Sequence, residues 1–142
     1  MNGNAELLNF VYQNSQMGVE TIEQLLDIVK DKEFKEHLHE QYEVYLMFHR
    51  DAKELLNDSG HDEKGLSAFE KIRTYLMINI QTMMDQSTSH IAQMMITGST
   101  MGVTEAIQKE HDYKDADKKI LDLMEDLQGF EEKNIKKLKK FL

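Results

Sequence analysis

The sequence predicts an all-α protein, and three observations carry that expectation. Its 142 residues include no Pro and only seven Gly, so the usual punctuation of loops and turns is scarce. Apolar residues recur at alternating spacings of three and four along most of the chain, the signature of a helix with one buried face. No segment sustains the two-residue alternation of a half-buried strand.

The stripes can be followed in order. Leu8, Val11, Ser15, Gly18, Ile22, Leu25 and Val29 share one face of a first helix, expected from about Ala5 to Lys30. Asp31 is placed to cap the next helix, whose stripe is Leu38, Tyr42, Tyr45, His49, Ala52 and Leu56. The polar, glycine-bearing run from Asn57 to Gly65 is the main loop. A shorter helix is expected around residues 66–85, with Phe69, Ile72, Leu76, Ile80 and Met83 as its stripe. Asp85-Gln86-Ser87-Thr88-Ser89 then supplies capping groups for a helix starting near His90, which carries Ile91, Met95, Gly98, Gly102 and Glu105. Asp115 or Asp117 can cap the last helix, with Ile120, Met124, Leu127, Glu131, Asn134, Leu138 and Phe141 on its face. Four helices of roughly 25 residues, each about 38 Å long, plus one shorter helix make a single domain over residues 1–142.

Composition excludes several functions. Without Cys there is no disulfide, thiolate zinc site or cysteine nucleophile. The 26 acidic side chains outnumber 17 Lys and Arg, for a net charge of −9, which opposes generic binding to nucleic acid. No apolar run approaches the roughly 18 residues of a membrane span, and the N-terminus lacks a signal-peptide pattern, so we expect a cytoplasmic protein. Neither a phosphate-binding glycine loop after a strand nor a spaced Ser/His/Asp set is present.

An internal repeat organises the helices. Met17-Gly18-Val19 recurs as Met101-Gly102-Val103 and Lys30-Asp31 as Lys114-Asp115, both 84 residues on. Ser15 matches Ser99 and Gln24 matches Gln108. After a slip of one residue, Leu38, Tyr42, His49 and Leu56 fall opposite Leu123, Leu127, Asn134 and Phe141. Each half thus reads as a helical hairpin, with the short helix connecting the two. Over nearly its whole length the chain resembles a bacterial ferritin-like family of unknown function. The resemblance is carried by Ser15-Gln16-Met17-Gly18-Val19-Glu20-Thr21, by Gly98-Ser99-Thr100-Met101-Gly102-Val103-Thr104-Glu105, and by Leu127-Gln128-Gly129-Phe130-Glu131-Glu132-Lys133-Asn134. It implies a ferritin-like four-helix bundle built from two repeated hairpins with an additional connecting helix.

Dimetal proteins of that superfamily use one carboxylate from each of two helices and a Glu-x-x-His pair from each of the others. Residues three apart share a helix face, so such a pair can reach one ion together. By the repeat the pairs fall at Leu46 with His49 and at Glu131 with Asn134, each lacking one ligand. Glu105 fills one single-carboxylate position; its counterpart is Thr21, with Glu20 the nearest substitute. His49, Glu105, Glu131 and Asn134 are therefore the candidate metal residues, suited to a single Fe, Mn or Zn ion but not to a bridged pair. The competing expectation is no cofactor, with these side chains hydrogen-bonded inside a bundle. Glu36 and His39 form a literal Glu-x-x-His, but they flank Leu38 and fit a solvated face.

Gly98 and Gly102 lie one turn apart, with Gly18 as the repeat counterpart of the second. Each costs roughly 1 kcal/mol against Ala in a helix, so close backbone approach or a small apolar pocket is expected. The ten methionines read as flexible core filler or an adaptable interaction surface. The 66–85 helix is apolar on nearly all sides, which predicts a homodimer. The terminal lysines from Lys133 to Lys140 complement the last helix dipole or dock an acidic partner. Two functions follow: a non-enzymatic bundle acting by association with itself or a protein partner, its dimetal site degenerate; or a metal-dependent oxidoreductase or iron-handling protein.

Overall fold

The structure, a computed structural model, describes residues 3–61 and 69–142. Those residues form five α-helices and no strand: α1 (Gly3–Leu26), α2 (Lys32–Asp58), α3 (Glu70–Gln81), α4 (Thr88–Asp112) and α5 (Lys118–Leu138), closed by a short 3-10 turn, Lys139–Phe141. Residues 62–65 of the expected main loop and 66–68 of the expected connecting helix lie outside the described residues. Among the described residues, no helix is long and apolar enough to cross a membrane.

Local chemistry sets the ends. The Asp31 side chain accepts from the Phe34 N–H at 2.8 Å, satisfying one of the free donors of the first turn of α2. Ser87 does the same for His90 at 3.2 Å, while Asp85 accepts from the Ser87 N–H at 2.9 Å. Asp117 stands at the start of α5 without capping it through its side chain. Its own N–H is instead held by Asn4 Oδ1 at 2.8 Å, which ties the start of α1 to the start of α5. α1 stops at Leu26, earlier than expected, and Val29 turns back into the core at 4% exposure. After α2, Gly60 takes φ +81°, a conformation that L side chains rarely adopt.

Touching pairs fix the directions. Tyr12 stacks on His49 and Tyr42 reaches Glu23, so α1 and α2 form an antiparallel hairpin. Gly3 lies against Tyr113 and Gly102 against Asn14, so α4 runs antiparallel to α1. Asn14 bonds to Glu131 as Asn4 does to Asp117, so α5 runs parallel to α1. α2 and α4 consequently point the same way, and the chain must travel back along the bundle between them. α3 makes that return: Phe69 packs on Phe10, Arg73 meets Glu20, and Gln24 donates to the Met77 sulfur at 3.1 Å. The sequence predicts a connecting helix that is apolar on nearly all sides. Ile72, Leu76 and Ile80 are buried, but Glu70, Lys71, Arg73, Thr74 and Gln81 give α3 a wet face.

One core joins all five helices, from Leu7, Leu8, Val11, Ile22 and Leu25 on α1 to Met124, Leu127 and Leu138 on α5. Met17, Met94, Met95 and Met124 fill it, as expected of flexible side chains. The burial stripes correct one register. On α2 they fall at Phe34, Leu38, Gln41, Tyr45 and Ala52, and on α5 at Ile120, Met124, Leu127, Glu131 and Leu138. Tyr45 therefore occupies the position equivalent to Glu131. Leu46, expected there, is 37% exposed.

Candidate functional site

Polar residues buried inside a helical protein need partners, and those that α2 and α5 bring together form two groups. The inner group centres on Glu131, which is 5% exposed. Tyr45 donates its hydroxyl to Glu131 Oε1 at 2.6 Å, and Asn14 Nδ2 donates to Oε2 at 3.2 Å. Burial pushes the Glu131 carboxyl above its usual range, while the Tyr45, Asn14 and Asn134 side chains pull it back. Burial, and then the Glu131 charge, push the Tyr45 phenol well up, so it stays a donor at neutral pH.

Glycines make this packing feasible. A Cβ on Gly18 would sit 2.7 Å from the Tyr45 ring, so Gly18 is what seats the tyrosine. A Cβ on Gly102 would meet Asn14 Oδ1 at 3.1 Å, and one on Gly98 would meet a Leu76 methyl at 3.0 Å. The neighbours are side chains, not the helix backbones that the sequence suggested. A cavity of about 30 Å³ remains between Thr21, Tyr45, Leu76, Gly98, Ser99 and Glu131. It is the size of an ordered water molecule or two, since one needs roughly 10–15 Å³. Thr21 Oγ1, buried and without a hydrogen-bond partner, borders it.

The four candidate metal residues are not gathered. Glu131 and Asn134 sit together in the core, but His49 is half-buried and stacked on Tyr12, with ring centroids 4.4 Å apart. Glu105 is half-buried on α4. Among the described residues, no three His, Asp or Glu side chains come together in a way that could hold a metal ion. The register accounts for this placement: α2 turns Tyr45, not Leu46 and His49, toward Glu131. Glu20 is drawn away as well, to Arg73 at 3.5 Å and Gln16 at 3.3 Å. The residues present do not fit a dimetal centre. Each oxygen of the central carboxylate accepts a hydrogen bond from a neighbouring side chain.

The outer group was not anticipated. His37 and Gln41, 9% and 3% exposed, lie one turn apart on α2, and the Gln41 amide meets His37 Nε2 at 2.6 Å. Burial lowers the His37 pKa, and Lys137 lowers it further, against weaker opposing effects from Asn134 and Glu40. With the ring neutral, Gln41 Nε2 donates to it and Gln41 Oε1 is left without a partner. Asn134, 2% exposed, lies between the two groups with neither amide atom hydrogen-bonded. It is near enough to favour the charged forms of Tyr45, Glu131 and His37. A crevice of about 190 Å³ opens over this outer group. Its sequence signal was the spacing of His37, Gln41 and Tyr45, four residues apart each time and beside Leu38 on the buried face. Glu36 and His39 are both exposed, as expected.

No protein-family model matches this chain, and no curated protein or solved structure shows significant similarity to it.

Proposed function

We propose that the chain is a ferritin-like helical bundle that acts by association rather than by dimetal catalysis. The helix directions support the bundle assignment: two antiparallel hairpins whose second and third helices, α2 and α4, run the same way, joined by one long crossover. The observation that carries the functional reading is the hydrogen bonding of Glu131. Tyr45 and Asn14 occupy both of its oxygens, and the Tyr45 ring fills the space that Gly18 leaves. A core arranged in this way spends its one buried carboxylate on hydrogen bonds within the polar network, with no second acidic or histidine side chain beside it among the described residues to share an ion. Self-association is the simplest form of the proposal. Ile78 on α3 is 53% exposed and Met84, just after it, 97% exposed.

Untagged protein from iron- and manganese-supplemented cells, purified without chelator, is expected to carry far less than one metal ion per chain by elemental analysis. The content is expected to be unchanged in Glu131→Gln. Two ions per chain, or one that Glu131→Gln abolishes, would overturn the proposal in favour of a metal-dependent oxidoreductase or iron-handling protein. Light scattering on the same sample is expected to give a dimer mass; a monomer mass at micromolar concentration would contradict self-association.

A further inference from the structure

Among the described residues, four glycines lie in helix interiors, and three of them are accounted for within the chain. Gly18 seats the Tyr45 ring, Gly98 a Leu76 methyl and Gly102 the Asn14 amide. Gly129, in the middle of α5, is the exception: a Cβ there would meet nothing within 4 Å. Glycine is among the least favourable residues in a helix interior, and close approach of another backbone is one reason for a helix to carry it. Two positions before the buried Glu131, Gly129 is turned about 160° away from the core.

The face around it is divided by charge. Asp122 and Asp126 precede Gly129, while Lys133, Lys136 and Lys137 follow it, all of them exposed. Steps of three and four keep Asp122, Asp126, Gly129, Lys133 and Lys137 on one side of α5, opposite the buried stripe. Asp122 also meets Lys118 at 3.0 Å. Asp126 and Lys133 form no ion pair among the described residues. A helix that is acidic before its centre and basic after it is complementary to its own reverse. Antiparallel pairing about a two-fold axis near Gly129 brings Asp126 level with Lys133 of a second copy and Asp122 level with its Lys137, and symmetry repeats both pairs. Parallel pairing would set like charges against each other. Met47 on the neighbouring α2 is 53% exposed, and Val44 and Phe130 line the crevice between the two helices, so apolar area adjoins the charged face. We propose that two copies of this chain pair through the outer face of α5, antiparallel, crossing at Gly129. The proposal rests on the self-association reading and names its surface: the glycine lets the two helix backbones approach closely, and the charges fix their direction.

Sedimentation equilibrium gives the dimer dissociation constant of the full chain and its variants. Gly129→Gln is expected to weaken pairing about tenfold or more. At concentrations where both are monomeric, the same variant is expected to unfold at higher urea than the parent, because glutamine favours the helix and its side chain meets open space. Asp126→Lys and Lys133→Asp are each expected to weaken pairing about tenfold, and the two together to return it to within about threefold of the parent. The α3 variant Ile78→Lys is expected to keep the parent constant. A parent that stays monomeric would overturn the self-association reading and this proposal with it. A dimeric parent whose constant is unchanged in Gly129→Gln and Asp126→Lys would overturn this proposal alone and leave self-association to another face. A double variant that pairs no more tightly than the single ones would also overturn it.

Discussion

The inner and outer polar groups share α2 and α5 and lie about one turn apart, and they differ in how completely they are satisfied. Around Glu131 each carboxylate oxygen has a donor, the aromatic ring that supplies one of them is seated on a glycine, and the one unpartnered atom, Thr21 Oγ1, borders a cavity that has room for a water or two. Around His37 and Asn134 three buried polar atoms have no partner and are sealed from water. A satisfied polar network in a dry core rigidifies and specifies packing; buried polar atoms without partners carry a free-energy cost. The comparison separates the part of the interface that holds the fold from the part that costs it stability.

The largest effect should come from breaking the inner group. Tyr45→Phe removes one donor from a buried carboxyl and is expected to lower stability by about 1–3 kcal/mol, read by urea unfolding. Gly18→Ala attacks the same contact from the other side. Its Cβ would press on a ring held in place, so a net loss of about 1–2 kcal/mol is expected after the roughly 1 kcal/mol gain in helix propensity. Gly98→Ala meets only the flexible end of Leu76, and its stability is expected to stay within about 0.5 kcal/mol of the parent.

A smaller effect lies in the pH dependence. The Glu131 carboxyl is raised in the folded state above its ordinary 4.5. Its contribution is therefore full below about 4.5 and is lost as pH rises through the higher folded value. His37 acts with the opposite sign, because its pKa is lowered from 6.5: its contribution is present above 6.5 and is lost as pH falls through the lower folded value. Glu131→Gln should remove the first slope and leave the second. Unfolding curves across the acid range for parent and variant check this, and identical profiles would mean that Glu131 is not the group titrating.

Much of the fold was legible because apolar spacing reports helix faces directly. Asp31 and Ser87 act as caps as their side-chain chemistry suggested, and the helix order follows the stripes. The site was legible only in part. Glu131 and Asn134 were identified as core residues, but the facing residue on α2 was misplaced by one position, and one position rotates a helix face by about 100°. That shift turned Tyr45 inward in place of Leu46 and turned His49 toward Tyr12. His37 and Gln41 escaped because a polar residue on an apolar face reads the same whether its partner is a neighbour, a ligand or nothing. Hydrogen-bond satisfaction is a property of three-dimensional placement, and spacing alone does not encode it. The glycines were rightly singled out, yet what each one accommodates, a ring, an amide or a methyl, depended on side chains from three other helices.

The most direct measurement is the stability of Asn134→Leu beside that of Tyr45→Phe, by urea unfolding. If the outer group is unsatisfied, replacing the Asn134 amide with an apolar side chain of similar size removes a buried penalty. Stability should then rise by about 1 kcal/mol, opposite in sign to the tyrosine variant. A loss in Asn134→Leu comparable to that in Tyr45→Phe would show that both groups are closed structural networks and would contradict the distinction.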